Sequence, residues 1–81
     1  MKIPRDLTGA ELALLLRRKL FYEVTRQKGS HIRLTTQKPS EYHITIPNHD
    51  PIKIGTLSGI LNDIAEHHGL NKEELMNLLF L

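Results

Sequence analysis

The chain contains no cysteine. That excludes a disulfide framework, a thiolate nucleophile and a Cys-based zinc site, and it is compatible with a reducing compartment. No apolar run approaches the roughly 20 residues that a membrane-spanning helix needs. The opening stretch "MKIPRDLTG" lacks the apolar core of a signal peptide, so no export is expected. Neither H-x3-H nor HExxH occurs, and His67 and His68 are adjacent, so on a helix they point about 100° apart and cannot chelate one metal together. A Walker loop, GxGxxG and a nucleophile elbow are likewise missing, as are internal repeats, low-complexity segments and linkers. Strong charge of one sign is also missing: the formal net charge is +2, which permits an anionic partner without demanding one.

What is present in 81 residues, 40% of them hydrophobic and 25% charged, is the composition of one globular domain spanning 1–81. Thr8 followed three residues later by Glu11 is a capping-box start. The run "AELALLLRRKL" then carries Ala10, Leu12, Leu14, Leu15 and Leu16 on a broad apolar face. Arg17, Arg18 and Lys19 crowd its last turn, where they complement the negative helix end.

Three strand-like segments follow, Phe21–Arg26, His31–Thr36 and Tyr42–Ile46. Even positions are mostly apolar (Tyr22, Val24, Ile32, Leu34, Tyr42, Ile44, Ile46) and odd positions mostly polar, the pattern of an antiparallel meander with one buried face. Keeping even opposite even requires a three-residue loop, Gln27-Lys28-Gly29, with Gly29 in the left-handed region. Val24–Ile32 and Tyr22–Leu34 then pair inside, with Thr25–His31 and Glu23–Arg33 outside.

After the loop "NHDPIKIG", a second helix is expected from Thr56 as N-cap to Gly69 as C-cap. A third begins at Asn71, with Glu74 three residues on. The fold class is α+β, an α-β-β-β-α two-layer sandwich with an extra C-terminal helix, the helices covering the apolar sheet face.

Chemistry concentrates in "RQKGSHIRL". His31 stands on the polar face beside Lys28, with Arg26 and Arg33 close in sequence and backbone amides opened by Gly29. Two readings stand. One is a tolerated hairpin histidine, with Arg33 occupied by a cross-strand Glu23. The other is an imidazole able to take a proton from a ribose 2′-hydroxyl, with neighbouring cations steadying a phosphorane. His43 shares the polar face but lies too far along the strands to meet His31, about 13 Å away if Leu34 pairs with Ile44. It is read as a surface strand residue, and His49 as a loop residue. Lys53, before the second helix, stands where a helix N-terminus favours phosphate.

Across nearly the whole chain, "DLTGAELALLLRRKLFYEVTRQKGSHIRLTT" and "HITIPNHDPIKIGTLSGIL" resemble the HicA-like toxin family. The diagnostic parts are "RQKGSH", "IPNHDPIKIGTL" and "GLNKEEL". The resemblance implies a double-stranded-RNA-binding-domain-like fold and a metal-independent, cytoplasmic endoribonuclease acting on mRNA. It puts the catalytic histidine at His31, and the reading of the residues adds Lys28, Gly29, Ser30, Arg33 and Lys53 as RNA contacts. It also implies neutralisation by a HicB-like antitoxin lying over the catalytic face. Two rival classes remain at this point: a non-catalytic RNA-binding module, and a protein-interaction domain using its sheet face.

Overall fold

The computed structural model describes residues 4–81. Thr8 accepts from the Glu11 amide, and the Glu11 carboxylate accepts from the Thr8 amide, so the expected capping box starts helix α1, Gly9–Leu20. Its core side is Leu12, Ala13 and Leu16, whereas Ala10 and Leu14 point to solvent, a narrower stripe than expected. The helix stops at Phe21, a non-glycine residue in the left-handed region at φ 60°, whose N–H returns to Leu16. That cap uses up Phe21, and strand β1 therefore runs Glu23–Lys28 instead of starting at Phe21.

Strands β2, His31–Thr36, and β3, Tyr42–Pro47, complete an antiparallel sheet in the order β1-β2-β3. Ile32, Leu34, Ile44 and Ile46 are buried, while His31, Arg33, His43 and Thr45 are exposed, as alternation requires. β1 is exposed along its whole length, Val24 included, against the expectation of an inward-facing Val24.

Helix α2 spans Ile54–His68 and α3 spans Lys72–Phe80. α3 begins at a second capping box, Asn71 with Glu74, and α2 ends at Gly69 in the left-handed region. The start of α2 departs from expectation: its N-cap is Lys53, without a side-chain cap, and Thr56 lies inside the first turn. Ile52 is fully buried just ahead of it, and this anchoring overrides the local preference for a threonine cap.

Leu12, Leu16, Leu34, Ile46, Leu57, Leu61, Ile64, Leu75 and Leu79 form one core between sheet and helices. At about 25 cal/mol per Å², each such side chain contributes about 1.5–3 kcal/mol. The connection after β3 is tied by its backbone: Asn48 N–H donates to Ser30, Gly9 N–H to His49, and Ile52 N–H to Leu7. A Cβ at Gly9 would lie 2.7 Å from the Asn48 Cα and closer still to the Pro47 carbonyl. Only glycine allows the helix to start there.

Candidate functional site

The site begins with a defect in β1. Glu23 lies opposite Thr35 and Val24 opposite Leu34; then the register slips, and Arg26 faces Arg33, Gln27 faces Ile32 and Lys28 faces His31. Thr25 is the extra residue of a β-bulge. The turn therefore holds two residues, Gly29 and Ser30, with Gly29 at φ +57° in the first central position, where a II′ turn requires glycine. The expected three-residue loop and the pairs Val24–Ile32, Tyr22–Leu34, Thr25–His31 and Glu23–Arg33 are corrected accordingly. Parity arithmetic fails here because one inserted residue changes which face every later position occupies.

That slip has a chemical consequence. Strict alternation assigns even-numbered Arg26 to the apolar face, and the expected loop takes Lys28 out of the strand. After the bulge both stand on the open face, directly opposite Arg33 and His31. Arg26, Lys28, Gly29, Ser30, His31, Arg33 and Thr45 line a hollow of about 530 Å³. Thr45 was not among the sequence candidates, and Arg26 entered there only as a cation close to His31 in sequence, not as an RNA contact. The available signal was Arg26 itself, a cation at an even position in a strand whose even positions are otherwise apolar.

Within the hollow, positive charge goes unanswered. A guanidinium directly across a strand pair from another is destabilising. Glu23, the expected mate of Arg33, sits opposite Thr35 instead. Among the described residues the only salt bridge is His43–Glu41, so Arg26, Lys28 and Arg33 have no carboxylate partner. The His31 side chain makes no hydrogen bond among the described residues and is solvent-exposed. An imidazole beside an ammonium and two guanidinium groups, in an open concavity, suits a phosphate diester. It holds the anion and offers a nitrogen able to move a proton.

Other candidates are dispersed. Lys53 caps α2 and does not line this hollow. His49 contributes its carbonyl to the start of α1, which is a structural use of its backbone. β2 and β3 pair Leu34 with Ile44, and this separates His31 and His43 by four strand positions, about 13 Å. His43 is more than a surface residue: its Nδ1 lies 2.7 Å from Thr35 Oγ1 and its Nε2 2.9 Å from the Glu41 carboxylate. Thr35 is bonded in turn to Thr25, the bulge residue, at 3.1 Å.

His67 and His68 serve the fold. His68 Nε2 meets the hydroxyl of buried Tyr22 at 2.9 Å, and His67 stacks on Tyr42 with ring centres 4.3 Å apart while its Nε2–H donates to the Ser40 carbonyl. Burial, then the neighbouring His67, hold the pKa of His68 below its ordinary value, and burial raises that of Tyr22. Among the described residues no group of three or more His, Asp or Glu side chains is placed to hold a metal, and no helix is long and apolar enough to cross a membrane.

No curated protein and no solved structure matches the chain. A family model does: that of the HicA toxin of bacterial toxin–antitoxin systems matches residues 9–65. The match runs from the first residue of α1 through most of α2, spanning the bulged hairpin and its cationic hollow. The α-β-β-β-α order required by that resemblance is the order of the elements here, and the chain belongs to the HicA toxin family.

Proposed function

We propose that this toxin is an endoribonuclease that cleaves single-stranded mRNA in the cytoplasm by internal transesterification. The observation that carries the proposal is the unneutralised Arg26, Lys28 and Arg33 around His31 on one open face. The neutral imidazole of His31 takes the proton from a ribose 2′-hydroxyl. The freed O2′ attacks the adjacent phosphorus and the P–O5′ bond breaks, with solvent supplying the proton to the departing 5′-oxygen. The products are a 2′,3′-cyclic phosphate and a 5′-hydroxyl. Lys28 and Arg33 hold the non-bridging oxygens, whose charge grows in the phosphorane. Gly29 and Ser30 shape the turn, and Lys53 adds a remote phosphate contact. The step needs no metal.

Membership of the family implies an antitoxin partner. A HicB-like protein with acidic groups laid over Lys28, His31 and Arg33 would block the hollow sterically and neutralise it. Such an association weakens with added salt, chiefly through its on-rate.

The test is incubation of the purified protein with single-stranded RNA in excess chelator, followed by analysis of the RNA ends. Cyclic phosphate ends formed by the parent and lost in His31→Gln support the reading. RNA binding without cleavage by the parent replaces it with a non-catalytic RNA-binding module.

A further inference from the structure

The open face holds a second concavity that the cleavage chemistry does not use. Arg26 and Arg33 belong to both hollows, so the two join into one trough running from the Gly29 turn to Glu41. Beyond the arginines its walls are Thr25, Thr35, Gln37, Glu41 and His43. On β2, residues 31, 33 and 35 share this face, and each two-residue step is about 7 Å. That is the scale of one nucleotide in an extended strand.

The far end is built unlike the near end. An exposed strand histidine ordinarily turns freely, but His43 is held at both nitrogens, by Thr35 and by Glu41. With Nε2–H donating to the carboxylate, Nδ1 accepts from the Thr35 hydroxyl. The ring is fixed yet 40% exposed, a flat surface on which a base can stack. Glu41 bonds the ring through Oε2, and its Oε1 makes no hydrogen bond among the described residues. This carboxylate, 64% exposed, repels a phosphate at the end of an otherwise cationic trough. The occupant it favours is neutral and carries a hydrogen-bond donor.

We infer that Glu41, His43 and Thr35 form a nucleobase subsite about two nucleotides from the cleaved bond, selecting bases with an exocyclic amino group. Adenine, cytosine and guanine can each donate an amino N–H to Oε1. Uracil has no amino group; its single N3–H lies between two carbonyl oxygens that repel the carboxylate, and it is disfavoured. The inference rests on the ribonuclease reading, because it places the RNA by the phosphate contacts of the neighbouring hollow.

The experiment uses single-stranded oligoribonucleotides identical except at the two nucleotides on each side of the cleaved bond, varied one at a time. Parent and Glu41→Gln are compared in kcat/KM, and His31→Ala in affinity for the same RNAs. At one flanking position the parent should favour amino-bearing bases over uracil roughly tenfold, about one hydrogen bond to a charged group. Glu41→Gln, whose amide can also donate to uracil, should bring that ratio to within about twofold. His31→Ala should retain the parent's order of affinities. Cleavage by the parent with no base preference at either flank, or a preference that survives Glu41→Gln, overturns the subsite and leaves the nuclease reading standing. Preferential binding by both parent and His31→Ala, without cleavage by the parent, sinks the nuclease reading and retains the subsite. Absence of both binding and cleavage overturns both.

Discussion

His31 lies on the open face of the sheet and His68 at the end of α2, and the two imidazoles have opposite surroundings. His31 is exposed, its ring makes no hydrogen bond among the described residues, and cations stand around it. His68 is half-buried, bonded to Tyr22 and edge-on to His67, and burial disfavours its charged form. The contrast shows that residue type alone does not set the role of a histidine. A ring whose nitrogens are already engaged steadies a fold; an unengaged ring among unpaired cations is available for chemistry.

The strongest way to break this contrast is to remove each ring. His31→Ala should lower cleavage about 10²–10⁴-fold, the usual share of a general base. Its stability should stay within about 0.5 kcal/mol of the parent, as for other exposed sites. Measured cleavage rates and melting curves decide between the two roles. If the variant unfolds, His31 is structural and the contrast collapses.

His68→Ala should do the reverse. It leaves the buried Tyr22 hydroxyl without its partner, which costs about 1–3 kcal/mol of stability, while cleavage per folded molecule is retained. Adding Tyr22→Phe removes the stranded hydroxyl, so the double variant should be more stable than additivity of the two single changes predicts. Denaturant titration of the four proteins measures this.

A smaller effect sharpens the electrostatic side. Replacing Lys28 or Arg33 by alanine should weaken RNA affinity and cleavage together. It should also flatten the dependence of log affinity on log salt by about 0.7 for each phosphate no longer neutralised. Titrations at several salt concentrations test this, and an unchanged slope would remove that residue from the phosphate-binding set.

The smallest effect is a pH dependence. The folded pKa of His68 lies below its unfolded value, so the unfolded chain binds the proton more readily. Stability from this group is therefore complete above the unfolded value of about 6.5 and declines as pH falls through the window below it. Denaturation midpoints at mildly alkaline and mildly acid pH should show the decline in the parent, and His68→Gln should reduce it.

Most of the fold was legible because its signals are local. The Thr8–Glu11 and Asn71–Glu74 capping boxes each lie within one helical turn, and alternation identified the buried and exposed positions of β3 and of His31–Leu34 in β2, but not the burial of Thr35. What escaped depends on distant partners. The bulge at Thr25 is defined only against β2, so the two-residue turn, the exposure of Arg26 and the pairing of Lys28 with His31 were not readable from β1 alone. Lys53 displaced Thr56 as the cap of α2 because Ile52 is buried by the rest of the molecule. For the candidate site, His31, Lys28 and Arg33 came from one contiguous motif. Arg26 opens the same motif, but its place on the open face needed the register, and the Thr35–His43–Glu41 chain needed side-chain geometry.

The backbone ties of the loop after β3 also bear on how the molecule breathes. Asn48 fastens the loop to the carbonyl of Ser30, one residue before His31, while Gly9 and Ile52 fasten it to the start of α1. Loosening the first turn of α1 therefore frees the hairpin tip, and the two should open as one cooperative unit. In hydrogen–deuterium exchange the amides of Gly9, Asn48 and Ile52 should share one protection factor, although Gly9 lies about forty residues from Asn48 in the chain. The lifetime of the tip's geometry would then be governed by a helix end that does not line the hollow.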